Sequence, residues 1–372
     1  MDSLGLTDSV YLDFTINDLG LFKEPKPSRI ESDLNYKLAH EILNKVLEFR
    51  RSDSNHSTCD QTCQSCQSPH LSKVIAAIQL AKPITFVLPA FPGKSPNLSK
   101  VLSPLPDMAE KLALQFLQQL CDQIKNVYAP GAKIILCSDG RVFSDIIGMH
   151  ENNVTDYQRE LDNMITELDL THVSTFNLDA LAEENKTEED NGKDFIQMRR
   201  QLMKDFGAPV ELLREKVLRG SKLFSHAEDE EAHRMYCGIT RFLVEDATFP
   251  GQTKSRSAIQ KECKVKAYEV INRSNAWSEL ISQYFPEAVR LSIHPQTCGS
   301  KKLGIRLVGT DSWMTPWHGV AIKTNNSFKL LKRAEAEALG AQLVFSVGGR
   351  PSHFELLTSH SSHPLLNEKA EV

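Results

Sequence analysis

The first half of the chain alternates between continuous apolar runs and segments whose apolar residues recur about every 3.6 positions. The runs at 84–90, 133–139 and 172–178 are short and rich in Ile, Val and Phe, so they predict buried strands. Between the first two, residues 107–127 have the spacing of an amphipathic helix, and Asp107 is placed to cap its first turn. This alternation predicts an α/β fold with a mostly parallel sheet flanked by helices.

Three further helices are predicted in the same half of the chain. Residues 34–51 end in two arginines, which suit a helix C-terminus, and residues 71–81 have the pattern of a second, shorter helix. Thr155 is followed three positions later by Gln158, which is the pattern of a capping box. We therefore expect a helix to begin at Thr155.

The chain after residue 178 divides into parts with different patterns. Residues 182–194 are a charged insertion expected in a solvated loop, and residues 194–283 are almost entirely helical in pattern. The remainder predicts a smaller C-terminal β-rich part with a short helix at 334–340 and a loose tail at 359–372. Its predicted strands lie at 289–294, 303–308, 319–323, 327–332, 342–347 and 353–358.

Composition and charge exclude several classes of protein. The 372 residues are 41% hydrophobic and 24% charged, with a net charge of −5, as in ordinary globular proteins. There is no basic stripe of the kind that binds nucleic acid. The acidic start lacks the basic region and apolar core of a signal peptide. No apolar run reaches the ~18 residues of a membrane helix. We therefore expect a cytoplasmic protein with no nucleic-acid or membrane partner.

Three of the eight cysteines are clustered in one short segment. Cys59, Cys63 and Cys66 lie between His56 and His70, and zinc prefers thiolate and imidazole ligands at close spacing. A site built from the three thiols and His70 is one interpretation. The spacing is not that of a standard zinc finger, and the surrounding Ser, Gln and Asp favour a surface loop with free thiols. We expect no required cofactor, and zinc stays open.

Polar residues follow each predicted strand at the point where it ends. In open α/β sheets the ligand crevice lies past the carboxyl ends of the strands. Cations next to small hydroxyls suit a phosphate or a carboxylate, and the absence of glycine-rich nucleotide motifs argues against a nucleotide. The candidate binding residues in these segments are Lys94, Ser95, Asn97, Arg141, Ser144, Gln296, Thr315 and Trp317. The alternative for Lys94 and Arg141 is helix capping or pairing with Asp139 and Asp145.

Two histidines at strand ends are candidates for proton transfer. His294 and His318 carry imidazoles, which titrate near working pH, although a single such histidine is often only a structural hydrogen-bonding group. Trp317 and Trp313, on either side of Pro316, could line a substrate pocket or fill the core. No metal-ligand triad, zinc-protease motif or nucleophile elbow is present. These residues therefore favour acid–base chemistry without a metal or redox cofactor.

Five motifs together resemble one known family. They are LPAFPGKSPNLSKVLSPLPDMAE, CSDGRVFSDIIG, INRSNAWSELI, FPEAVRLSIHPQ and WMTPWHGVAI, in this order between about residues 80 and 325. They are similar to the isocyanide (isonitrile) synthases, the pyoverdine- and dityrosine-type biosynthesis proteins. The resemblance implies a Rossmann-like core and secondary metabolism. It also implies a carbon–nitrogen bond-forming reaction in which an amino acid and ribulose 5-phosphate yield an isocyanide.

The resemblance also implies roles for particular residues. The two substrates bring a phosphate and a carboxylate, for which Lys94, Ser95, Arg141 and Arg290 are candidates. His294 and His318 are the candidate acid and base, with Asp139 orienting an imidazole or taking a proton itself. The expected organisation is an N-terminal extension at 1–75, a catalytic domain at 76–358 with a helical insertion at 194–283, and the tail at 359–372.

The sequence leaves the substrate, the partners and two alternative functions open. An L-amino acid with an aromatic side chain, tyrosine first, is the expected substrate, and downstream tailoring enzymes are conceivable partners. One alternative is a sugar-phosphate isomerase or lyase that needs no amino acid. The second is a metal-binding protein that uses the Cys/His segment at 56–70.

Overall fold

The computed structural model describes residues 29–51, 59–179, 194–222, 225–308, 314–325 and 327–356. The predicted charged insertion, the predicted tail, His56 and Trp313 therefore lie outside the described residues, apart from Asp194 at the insertion's end. In the described part of the chain, no helix has both the length and the apolar character needed to cross a membrane.

The main sheet has five parallel strands, which confirms the predicted α/β class. Their order across the sheet is β3-β2-β1-β4-β5, and every neighbouring pair is parallel. Successive side chains alternate between the two faces, so Phe86 and Leu88 enter one core and Val87 enters the other. The strands are β1 Ile84–Leu88, β2 Ala132–Ser138, β3 Val173–Asn177, β4 Val289–Ser292 and β5 Leu303–Gly304.

Helices cover both faces of this sheet, as a parallel sheet requires. The helices are α1 Arg29–Leu47, α2 Gln64–Gln79, α3 Met108–Val127, α4 Gly140–Ile147, α5 Glu151–Glu167, α6 Phe195–Phe206, α7 Val210–Gly220, α8 Ala227–Ala247, α9 Arg256–Tyr284 and α10 Arg333–Ala338. Residues of α1, α2, α3 and α5 share one core with the sheet, and α4, α6, α8 and α9 contribute to the core on the other face.

A second, four-stranded mixed sheet follows the main one, with the order β7-β6-β9-β8. The prediction placed β4 and β5 in this C-terminal part, and that was wrong because both strands pair in parallel with the main sheet. The strands of the second sheet are β6 Val320–Thr324, β7 Ser327–Leu331, β8 Gln342–Phe345 and β9 Pro351–Glu355.

The helix boundaries confirm some local signals and correct others. Asp107 caps α3 as predicted, in a capping box with Glu110. Thr155 does not begin a helix, because α5 already starts after His150, and Gln158 instead donates to the Phe91 carbonyl at 3.1 Å. The predicted cysteine loop is partly helical, since α2 begins at Gln64.

Candidate active site

The loop that follows β1 lies directly against the end of β2. Gly140 comes so close to this loop that a Cβ atom there would be 1.8 Å from the Pro92 carbonyl oxygen. Ser138 donates to the Phe91 carbonyl at 2.9 Å, and Trp317 packs on the Phe91 ring at 5.3 Å between centroids. Residues of three chain segments therefore meet at the carboxyl edge of the sheet, as the strand-exit rule predicts.

Lys94 lies inside this loop with its ammonium group fully engaged. Its Nζ donates to the Pro316 carbonyl at 3.0 Å and pairs with Asp107 at 2.9 Å and Glu110 at 2.8 Å, and all three charged side chains are buried. Burial disfavours the charge on Lys94, but the two carboxylates outweigh it and raise its pKa. An ammonium has three donors, so this one has none left for a substrate anion.

Ser95 and Asn97 connect the same loop to the end of α8. Ser95 Oγ donates to Asp246 at 2.8 Å. Asn97 Nδ2 donates to the carbonyls of Glu245 at 3.0 Å and Thr248 at 2.8 Å, where helix carbonyls lack partners within the helix. Both side chains thus hold α8 against the carboxyl edge of the sheet.

Arg141 and Ser144 surround an internal carboxylate instead of an open site. Arg141 is 2% exposed, and it donates at 2.7 Å to Glu151, which also accepts from Ser144 at 2.9 Å. Arg199 pairs with the same carboxylate. Burial opposes ionisation of Glu151, but its hydrogen bonds from Arg199, Arg141 and Ser144 lower its pKa. The anion expected beside Arg141 is therefore present as a side chain of α5.

Arg290 and Lys302 form a second group of cations, and no carboxylate among the described residues forms an ion pair with them. Arg290 of β4 lies opposite Val87 of β1, and Leu291 of β4 lies opposite Leu303 of β5. The parallel register therefore places Lys302, the residue before Leu303, beside Arg290, the residue before Leu291. Arg290 donates to Ser278 at 3.2 Å, while its Nε and Nη1 atoms are buried without a hydrogen-bond partner among the described residues. Burial lowers the pKa of Arg290 to about 10, and burial together with the charge of Arg290 lowers the pKa of Lys302.

Asp139 follows β2 and is the acid whose charge acts on Arg290. Its side chain is half-buried, and Oδ1 has no hydrogen-bond partner in the described part of the chain. Burial raises the pKa of Asp139 to about 7, although the charge of Arg290 opposes this shift. At neutral pH the carboxyl group is therefore present in both protonation states.

His294 lies two residues beyond the end of β4, in the bend that follows the strand. Solvent reaches the residue, yet enough protein surrounds the ring to desolvate its charged form. This desolvation and the charges of Arg51 and Lys302 lower the pKa of His294 to about 4. The imidazole is therefore neutral at pH 7 and can accept a proton.

His318 lies at another end of the site, close to Asp246 of α8. Its Nδ1 is 3.9 Å from Asp246 Oδ1, and its ring lies 5.4 Å from that of Phe242. Burial lowers the pKa of His318 to about 4, with Asp246 opposing the shift and Lys100 adding to it. This imidazole is also neutral at pH 7.

The remaining predicted binding residues have mixed surroundings. Gln296 donates to Ser292 Oγ at 3.3 Å and accepts from Ser300 at 3.0 Å, which shapes the turn after β4. Trp317 is buried at 3% exposure, and Thr315 is half-buried before the short 3-10 helix at Pro316–His318. The structure thus brings Asp139 near Arg290 and His294 near Lys302 at the edge of the sheet. Lys94, Ser95, Asn97 and His318 lie in and against the loop after β1. Arg141 and Ser144 lie apart, around Glu151.

Sequence reasoning missed Arg51, Lys302, Arg306 and Asp246. Arg51 lies near His294 because the segment 49–51 pairs with the edge of the sheet, where Arg306 N donates to the Phe49 carbonyl at 2.9 Å. Lys302 comes before its strand, so a search of residues after strands does not find it. The register of β5 on β4 is the signal that would have placed it beside Arg290.

Four cysteine thiols converge next to this region, and they could hold a metal ion. The Sγ atoms of Cys59, Cys63, Cys66 and Cys298 all lie within 4.8 Å of one another. The sequence-based ligand set contained His70 in place of Cys298, and that was wrong because His70 lies outside this cluster. Cys298 is more than 230 residues away in sequence, so spacing alone does not reveal it.

The chain is similar to proteins of one family over most of its length. Residues 74–344 match the family described as pyoverdine/dityrosine biosynthesis protein. An L-tryptophan isonitrile synthase of Fischerella ambigua is 43% identical over 319 residues, which are 85% of this chain and 91% of that protein. An L-tyrosine isonitrile synthase of Pseudomonas aeruginosa is 43% identical over 320 residues, covering 85% and 93%.

A solved structure also resembles this one. It is the crystal structure of the PvcA protein from Pseudomonas aeruginosa, with a TM-score of 0.77 and 42% sequence identity. The match covers 86% of this chain and 100% of the other.

Proposed function

The chain belongs to the pyoverdine/dityrosine biosynthesis family and is an isonitrile synthase of secondary metabolism, as its motifs predict, and on that basis we propose its substrates. They are an aromatic L-amino acid, tyrosine or tryptophan, and ribulose 5-phosphate. The amino acid supplies the nitrogen of the isocyanide, and the ketone carbon of the sugar becomes its carbon. Support for an aromatic side chain comes from relatives with tryptophan and tyrosine in their names, which are equally similar to this chain at 43% identity.

The observation that carries the sugar-phosphate proposal is that Arg290 and Lys302, two cations, lie side by side. Two neighbouring cations repel each other, and partial burial adds to the cost because it removes water from both charges. Asp139 and Glu231 act on these cations only through space, and neither forms an ion pair with them among the described residues. A phosphate dianion at this position offsets both charges and supplies acceptors for Arg290 Nε and Nη1.

We assign different roles to Lys94 and Arg141. Their charged groups are engaged by carboxylates of α3 and α5, so they support the proposed site by holding the loop after β1 and the start of α4. Ser95 and Asn97 do the same for the end of α8. These residues act as positioning residues in this proposal.

Proton transfer falls to Asp139 and the two neutral imidazoles. The amino group must lose a proton before it attacks the ketone, and the carbinolamine that forms must be protonated to expel water. A neutral imidazole accepts the first proton, and the protonated fraction of Asp139, whose pKa is about 7, supplies the second. His318 adjoins Phe242 and Trp317, so we assign the aromatic amino acid to that end of the site.

The test combines purified protein with ribulose 5-phosphate carrying carbon-13 at its ketone carbon and either tyrosine, tryptophan, leucine or valine. A tetrazine traps the isonitrile, and mass spectrometry locates the label. We expect a labelled product with tyrosine or tryptophan and little with the aliphatic acids. Consumption of the sugar phosphate without any amino acid would instead indicate an isomerase or lyase, and no trapped product with any acid would contradict the proposal.

A further inference from the structure

We propose that Cys59, Cys63, Cys66 and Cys298 form a structural zinc site that fixes the loop between β4 and β5 to the start of α2. Nothing in the assigned reaction requires a metal, so this site is additional to the catalytic residues. Its test is likewise independent of the proposed substrates, because metal content is measured without them.

The spacing of the sulfur atoms fits a tetrahedral ion. Zinc–thiolate bonds are about 2.3 Å long, so four thiolates around one zinc lie about 3.8 Å from one another. Here Cys298 Sγ is 3.7 Å from Cys63 and 3.4 Å from Cys66, and all four atoms fall within 4.8 Å. No sulfur–sulfur distance exceeds the tetrahedral spacing by more than about 1 Å.

Disulfide bonds and an iron–sulfur cluster fit the four thiols less well than zinc does. A disulfide needs a sulfur–sulfur distance of about 2.05 Å, and each of the four cysteines is a free thiol. An iron–sulfur cluster spreads its four thiolates around several metal ions, and thiols this close together leave no room for it. A chance meeting of four unlinked thiols does not account for the cluster either, because they come from two segments far apart in the chain.

The backbone forms a turn in both segments that carry the thiols, at the start of α2 and in the loop between β4 and β5. Cys63 is the N-cap of α2, and Cys66 N donates to the Cys63 carbonyl at 3.1 Å, which brings these two thiols to the same side of the first helical turn. Cys298 is followed by Gly299 at φ +77°, a conformation that favours glycine, and Ser300 N donates to the Thr297 carbonyl. Each turn directs thiols toward the other.

A nearby arginine supplies the charge that such a site needs. Zinc with four thiolates carries a net charge of −2, and an adjacent cation offsets part of it. Arg50 lies near Cys59, Cys66 and Cys298, and their charges favour its charged form. Its two Nη atoms are buried and find no hydrogen-bond partner among the described residues. The cluster is thus the counter-charge available to Arg50.

The consequence for the enzyme is mechanical. Four thiolates complete the coordination of zinc and leave no open position for substrate, so the ion acts through structure. Cys298 lies in the loop that also carries His294 and Lys302, and Gly304 packs against this loop with a Cβ position 2.8 Å from the His294 carbonyl. Zinc would therefore hold the proposed proton acceptor and phosphate-binding cation at a fixed distance from α2.

The experiment measures metal in the full-length chain after gel filtration in the presence of a weak chelator. Inductively coupled plasma mass spectrometry is expected to find about one zinc per chain. Cys298→Ser is expected to lower retained zinc about tenfold or more, because serine is a poor zinc ligand. Cys237→Ser is the matched control, since Cys237 is exposed on α8 outside the cluster, and it should retain the full amount.

A second measurement covers the case in which Cys298→Ser does not fold. In the wild-type chain, titration with a mercurial thiol reagent should release zinc in step with the modification of four thiols. Zinc below about a tenth of an equivalent in protein produced with added zinc would overturn the proposal. One equivalent of iron in place of zinc, or disulfides within the cluster in alkylated, unreduced protein, would overturn it as well.

Discussion

Two groups of cations at the same sheet edge, one buried and one half-buried, differ in what neutralises them. Lys94 and Arg141 each contact carboxylates of neighbouring helices, from Asp107, Glu110 and Glu151. Arg290 and Lys302 lie side by side on β4 and before β5 without such a contact in the described part of the chain. The first group is neutralised within the fold, and for the second we propose an anion supplied by the substrate.

Burial of a cation does not by itself identify a binding site, as these two groups show. A buried charge must be paired or must lose its charge. Lys94 is paired, which raises its pKa, whereas the pKa of Lys302 is lowered because burial and Arg290 oppose its charge. The pairing of each cation, and not its place after a strand, decides which of them is available to a ligand.

Replacing Lys94 tests the first half of this comparison and has the largest expected effect. Lys94→Met leaves Asp107 and Glu110 buried without their cation, so we expect the free energy of unfolding to fall by about 3–5 kcal/mol. Urea unfolding followed by circular dichroism measures the change. Lys301→Met, at an exposed lysine, is the control and should stay within about 0.5 kcal/mol of wild type. A fully stable Lys94→Met protein with a raised KM for ribulose 5-phosphate would reverse the assignment of Lys94.

Replacing Lys302 tests the second half of the comparison, the cations without a contacting carboxylate. Lys302→Met removes one of two repelling cations, so we expect little loss of stability. We also expect the KM for ribulose 5-phosphate to rise about 10- to 100-fold, because a hydrogen bond to a charged group is lost. The KM for the amino acid should change little. Lys301→Met again serves as the control, since it lies next to Lys302 but is exposed. Equal increases in both KM values would show that Lys302 does not distinguish the two substrates.

The smallest expected effect concerns the acid that faces the second group. Burial raises the pKa of Asp139 from 3.8 to about 7, so the folded state holds this proton more tightly than the unfolded state. Ionisation of Asp139 therefore lowers stability as the pH rises from about 4 to 7, and the full cost remains above pH 7. We expect Asp139→Asn to be about 1–2 kcal/mol more stable than wild type at pH 8, after allowing for partial exposure, and equally stable near pH 4.

The measurement is thermal or urea unfolding of both proteins between pH 4 and pH 8. Asp205→Asn on α6 is the control, because Asp205 is exposed and its replacement should give no such trend with pH. A stability difference that does not change over this range would mean that Asp139 titrates as in an unfolded chain.

Much of the fold could be predicted because its signals are local. The three strands of the first half and the cap at Asp107 follow from short stretches of sequence, and the structure has them at the predicted places. The helix predicted at Thr155 is present, but its predicted start was wrong for the opposite reason. Gln158 had the sequence of a capping-box partner, but it bonds to the Phe91 carbonyl, more than 60 residues away. A distant partner overrides a local propensity and leaves no trace in the local pattern.

The candidate site was predictable only in part, for the same reason. The strand-exit rule pointed to Asp139 and His294, which follow β2 and β4, because parallel strands end at one edge of the sheet. It could not tell that Glu151 would face Arg141, nor that Lys302 would lie beside Arg290. Both facts depend on packing and register between segments far apart in the chain.

The amino-acid sequence was enough to establish the α/β class, the strand ends that carry polar groups and the membership of the isonitrile synthases, since each depends on short motifs and their order. Which cations are neutralised from within, and which thiol completes the four-cysteine cluster, became known only from the folded chain. The physical reason is that electrostatic and metal-binding energies depend on distances of a few ångströms between atoms. Those distances are set by how separate segments pack, which no single stretch of the chain specifies.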